Sequence, residues 1–196
     1  MSVVVGTVLA MVNLPRSNCS TGLPVDVFWH ACPDLGSLDG HIDALVRALV
    51  NVLKEPACRR WNPYAETMAQ REFRHRLVAA SRGDLIPVDH VKSVQHPMAA
   101  EMFEIRWQHV NVTEVVDGKT RHRQAQVRLL HAEPARLGLV ALGLHAHEKR
   151  VVRGDARATR AAQDREIETA IGVYARALPE WLKRSSTWLD RDTPEV

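Results

Sequence analysis

Cysteine is scarce in this chain, long apolar runs are missing and net charge is small. Cys19, Cys32 and Cys58 are the three cysteines in 196 residues, and no Cys-x-x-Cys pair occurs. An odd, widely spaced set excludes a disulfide framework and a zinc ribbon, and it suits a reducing, cytoplasmic setting. Nothing beside these cysteines argues for an activated thiolate. No apolar run approaches the roughly 18 residues of a membrane span, so no membrane contact is expected. Ser2 to Leu14 is apolar but lacks a basic start, Arg16 coming only after it, so a buried strand is expected there rather than a secretory leader. Internal repeats, low-complexity tracts and a helix-turn-helix signature are also missing. What remains is an ordinary globular composition, 45% apolar and 25% charged, in a chain long enough to bury a core without staples.

The net charge of +3 conceals an asymmetry. Lys119 to Arg165 holds eleven Lys/Arg and four Asp/Glu, a local excess of +7, so the remainder sums to −4. A basic C-terminal half is either a solvated face or a surface for a polyanion, and charge alone leaves both open.

Periodicity divides the chain into elements. Residues 25–31 read as a short strand. Ser37 is a candidate N-cap, and Ile42, Leu45, Val46, Leu49 and Leu53 follow at helical spacing before Pro56. Asn62-Pro63 opens a second helix with a stripe of Ala69, Phe73 and Leu77, closed by Gly83. The period then changes to two, with Phe103, Ile105 and Trp107 on one face and Glu104 and Arg106 on the other. Asp117-Gly118 between strand-like runs predicts a tight hairpin. The returning strand reaches His131, Pro134 to Gly138 turns, and Leu139 to His147 reads as a third strand. A last helix after Gly154 carries Ile167, Ala170, Ile171, Tyr174 and Leu178, with Pro179 expected to end or kink it. The expected fold is α+β: an antiparallel meander with helices packed on one face. Three segments are expected, an N-terminal extension over 1–34, the main domain over 35–184, and a polar tail over 185–196.

Four stretches carry a likeness to a known family: Pro87-Val-Asp-His-Val-Lys92, Phe103-Glu-Ile-Arg-Trp107, Gln126-Val-Arg-Leu-Leu-His131 and Leu139-Val-Ala-Leu-Gly-Leu-His-Ala-His-Glu-Lys-Arg150. In order and spacing, from Leu77 to Leu178, they resemble the RelE/ParE toxin superfamily, in particular its HigB-type and phage-derived branches. The resemblance covers roughly half the chain. It implies a small cytoplasmic toxin of a toxin–antitoxin pair that cuts mRNA, mostly on the ribosome, without a cofactor or metal. The implied partners are a cognate antitoxin of helix-turn-helix type, mRNA and the ribosome; a homodimer is compatible. The same resemblance leaves a non-catalytic reading open, an inhibitor of a protein target or a phage accessory factor.

RNA cleavage by 2′-hydroxyl attack needs a base, an acid and cations to stabilise the phosphorane. By the resemblance, Lys92, Arg106 and Arg128 match the family's pre-strand lysine and strand arginines, and His145 and His147 would be its acid–base pair. Lys149 and Arg150 match a basic pair at the strand end and, with Arg153 and Arg157, would bind RNA. A charge such as Arg128 between apolar neighbours also needs a partner or a cleft of its own. His145-x-His147 with His131 and Glu133 offers a tetrahedral zinc reading, which is set aside in favour of no metal. Three features depart from the family pattern: a longer Asp-Gly hairpin, a long basic loop from Arg150 to Ala162, and no terminal tyrosine, Tyr174 falling on the buried stripe.

Overall fold

The computed structural model describes residues 15–32 and 36–189. The strand expected over 2–14 therefore lies outside the described residues. Among the described residues, a six-stranded sheet is flanked by three helices. After a 3-10 turn at Asn18–Ser20 come β1 (Asp26–Trp29), α1 (Leu38–Lys54), β2 (Arg59–Arg60), α2 (Pro63–Ser81), β3 (Val91–Ser93), β4 (Met102–Val116), β5 (Lys119–Ala132), β6 (Val140–Glu148) and α3 (Ala156–Leu189).

Capping chemistry sets the helix starts. Ser37 Oγ accepts from the Gly40 N–H at 3.1 Å, and Asn62 Oδ1 accepts from the Ala65 N–H at 2.7 Å. Each satisfies a backbone donor that the first helical turn leaves unpaired. Asp155 does the same for α3, accepting from the Ala158 N–H at 2.8 Å. The stretch from Arg150 to Ala162, expected as a loop, is thus helical from Ala156 onward. Pro179 lies inside α3 and does not end it, and the helix runs through Ser185 to Leu189. At the end of α2, Gly83 has φ +73, and a Cβ there would stand 2.5 Å from the Leu23 carbonyl oxygen. Left-handed backbone and close approach together require glycine.

The strand order is β1-β6-β5-β4-β2, with β3 also on β4. β4, β5 and β6 pair antiparallel in succession, joined first by Asp117 (φ 54) and Gly118 (φ 71). Two positive φ values are what a type I′ turn demands. β1 lies parallel to β6, so the sheet is mixed rather than antiparallel throughout. A parallel neighbour requires a long crossover, and the chain between β1 and β6 supplies it.

The helices do not share one face, which corrects the expectation from sequence. Phe103, Ile105, Trp107, Val127 and Leu129 pack with α1 and α2 through Leu45, Leu49, Phe73 and Leu77. Met102, Leu130, Ala132, Leu142 and Leu144 pack with α3 through Ile167, Ala170, Ala177 and Trp181. Strand side chains alternate, so a sheet apolar in both phases must be covered twice. The unbroken apolar run at the start of β6 marks this double burial.

Candidate functional site

Polar residues interrupt the α3-facing side of the sheet at one end. Register places Lys92 opposite Glu104, Arg106 opposite Arg128, and Arg128 opposite His147. Leu142 and Leu144 already point toward α3, and strict alternation would turn His145 and His147 away from it. An irregularity in the β5–β6 register between Leu130 and His131 shifts the phase by one residue. Beyond it, His145 faces the same side as Leu144, and His145 Nε2 reaches Glu166 Oε2 on α3 at 2.7 Å. A β-bulge re-aiming side chains in this way is a recurrent device at working sites.

His145 and His147 stand with ring centroids 5.5 Å apart and planes 12° from parallel. His147 is buried, and its Nδ1 has no hydrogen-bond partner. Burial pulls its imidazole down to about 4, with Arg128 and His145 adding to the effect against Glu166. His147 is therefore neutral at physiological pH.

Arg128 is 1% exposed. Its Nη1 donates to the carbonyls of Val127 (2.9 Å) and Trp107 (3.3 Å), and its Nη2 donates to Gln126 Oε1 at 3.1 Å. Glu104 Oε2 lies 3.8 Å from its Nε. Burial pulls the guanidinium down to about 10, with Glu104 opposing that shift. The partner that its apolar neighbours demanded is thus Glu104, together with backbone carbonyls. Arg106 Nε lies 3.3 Å from the other Glu104 oxygen, and its Nη1 donates to the Val88 carbonyl at 2.6 Å. Val88 has φ +70, a strained conformation for a β-branched residue, and strain of this kind concentrates at functional sites.

Two spaces meet at Glu104. An open cleft of about 770 Å³ runs between β3 and α3, lined among others by Lys92, Glu104, Arg153, Arg160 and Gln163. A small space beneath α3 is lined by Glu104, Arg128, His147, Lys149, Arg150 and Glu166. On the other side of the histidines, a groove of about 370 Å³ reaches His145, His147, Arg150 and Glu166 from solvent. Burial, with Arg128 nearby, lowers the Lys149 ammonium below its usual value. Arg157 is exposed on the first turn of α3.

The structure therefore brings Lys92, Arg106, Arg128, His145, His147, Lys149 and Arg150 to one side of the sheet, with Arg153 at the cleft. It does not bring His131 and Glu133 to the histidine pair. Those two join Cys19 in a separate buried cluster, so the four-ligand zinc reading fails on geometry. Tyr174 sits partly buried on α3 and donates to Glu101 Oε2 at 2.8 Å. The sequence offered Glu104 as an ion-pair partner of Arg106, as observed, but gave it no part in the site; it missed Glu166, the acid that bonds His145. Glu104 stood in the alternation opposite Ile105; Glu166 had no signal, because its role depends on how α3 crosses the sheet. Among the described residues, no helix is long and apolar enough to cross a membrane. No family model, curated protein or solved structure matches the chain.

Proposed function

We propose that the protein is an endoribonuclease toxin of the RelE/ParE kind, cutting mRNA on the ribosome and held in check by an antitoxin. The observation that carries this reading is the phase shift in β6, which turns His145 and His147 toward the same side as Lys92, Arg106 and Arg128. Neutral His147 can take the 2′-hydroxyl proton, as a weak base given its depression to about 4. His145, hydrogen-bonded to Glu166, supplies the second proton-transfer group. Lys92, Arg106 and Lys149 provide positive charge for the phosphorane, and buried Arg128 contributes through its field rather than by contact. Arg153 at the cleft, Arg150 beside the histidines and exposed Arg157 on α3 add positive surface, so RNA affinity is expected to fall steeply with salt.

A second reading rests on a specific observation as well. Arg128 spends its donors inside the protein and Glu166 occupies His145, an arrangement suited to a non-catalytic binding protein on the same scaffold. Controlled expression in a bacterial host separates the two, with growth and mRNA 5′ ends followed together. Arrest with new internal mRNA ends, relieved in His145→Ala/His147→Ala, is the expected result. Arrest without new ends favours a protein target, and no arrest from folded protein removes the toxin reading.

A further inference from the structure

We propose that His145, His147 and Glu166 form a binding site for one borderline divalent transition-metal ion such as Zn2+. A ring nitrogen of each histidine and one Glu166 oxygen lie within 4.8 Å of one another. Tetrahedral ligands on bonds of about 2.1 Å sit roughly 3.4 Å apart, so a modest contraction suffices. The ligands come from a strand end and a facing helix. Glu166 and His145 are partly exposed, at 29% and 25%, so their side chains can adjust. His147 is 92% buried (8% exposed) and has a ring nitrogen without a partner. The groove beside Glu166 gives an entry path and leaves room for a water as fourth ligand.

The donor set selects the ion. Two imidazole nitrogens and one carboxylate favour Zn2+, Co2+ or Ni2+ over Mg2+ and Ca2+, which prefer oxygen. Arg128 and Arg150 nearby oppose any cation, although Glu104 offsets Arg128. Strong nitrogen ligation is needed to overcome that field, which again disfavours the hard ions.

The other cluster of this type among the described residues does not compete. In Cys19–His131–Glu133, both Glu133 oxygens already accept hydrogen bonds from Ser17, Asn18 and His131, and all three members are buried. Burial also pushes the Cys19 thiol up, against the thiolate a metal requires.

Metal binding itself does not depend on the nuclease reading. One consequence does: an ion on these imidazoles takes the lone pairs that acid–base catalysis uses, so Zn2+ would inhibit cleavage. The test is titration of the full, untagged, metal-stripped chain with Zn2+, Co2+ and Mg2+ by calorimetry and visible absorption. The proposal expects one equivalent of Zn2+ or Co2+, no Mg2+ binding, and a tetrahedral Co2+ spectrum without a thiolate charge-transfer band. His147→Ala and Glu166→Gln should each weaken binding by about 100-fold or more. Circular dichroism checks folding, and Glu166→Gln, at a partly exposed position, keeps the test valid if His147→Ala unfolds. Absent binding by folded wild type, binding unchanged by Glu166→Gln, or a thiolate band would each overturn the proposal. Bound metal with no RNA cleavage under any condition would retain the site and remove only the nuclease reading.

Discussion

Two histidine–carboxylate clusters stand on neighbouring strands and do different work. His131 and Glu133 at the end of β5 meet at 2.9 Å, both buried, while His145 of β6 and Glu166 of α3 meet at 2.7 Å with both partly open. In the first, Glu133 also accepts from Ser17 Oγ at 2.5 Å and from the Asn18 N–H at 2.6 Å. Its hydrogen bonds fasten the N-terminal turn to the sheet. In the second, the only described bond is the one between the partners, and an unpaired His147 nitrogen stands beside it. Each cluster has one buried histidine nitrogen without a partner, on His131 and on His147, so the difference lies in the carboxylate: both Glu133 oxygens are filled in a buried clasp, whereas Glu166 makes one bond at a partly open candidate site.

The sharpest way to break this comparison is to remove each carboxylate. Glu133→Ala strips the clasp of three donors' acceptor and should cost about 3–5 kcal/mol, measured by urea denaturation. A pH titration of stability examines the same residue. Burial alone would raise the Glu133 carboxyl, but hydrogen bonds from His131, Ser17 and Asn18 hold it below the ordinary 4.5. Between that value and the lower folded one, the unfolded chain binds a proton that the native state does not. Its contribution is therefore complete above about pH 4.5 and is lost as pH falls through the folded value. Glu133→Gln should make the acid limb of the stability curve shallower; an unchanged limb would deny Glu133 this part.

Glu104→Gln is expected to cost less, about 2 kcal/mol, because Arg128 keeps its carbonyl partners when its counter-charge goes. Thermal or urea unfolding reads it, and a neutral result would mean that Arg128 needs no counter-charge beyond its carbonyl partners. Smallest is Glu166→Gln, below about 1 kcal/mol, since the pair is partly solvated. A loss there as large as that for Glu133→Ala would make the second cluster another clasp.

Much of the fold was legible where a single local rule decides. The Ser37 and Asn62 caps, the stripe from Ile42 to Leu53 and the Asp117-Gly118 turn each follow from neighbouring residues alone. The sidedness of the sheet was less legible. Arg128 between Val127 and Leu129 suggested a buried charge, yet only the crossing of α3 over Leu130 and Leu144 shows that both faces are covered. The parallel pairing of β1 with β6 joins segments far apart in sequence, and no local signal encodes it. At the site, His145 and His147 were visible as an i, i+2 pair. Their direction depends on the β5–β6 irregularity, and their carboxylate partner comes from a distant helix.

The most direct test of the account is an assay of purified protein on ribosomes programmed with a short defined mRNA, wild type beside His145→Ala/His147→Ala, with the chemistry of the new ends determined. The account predicts cleavage that leaves 5′-hydroxyl ends in wild type and is lost in the folded double variant. Undiminished cleavage by that variant, or none by wild type, would contradict it.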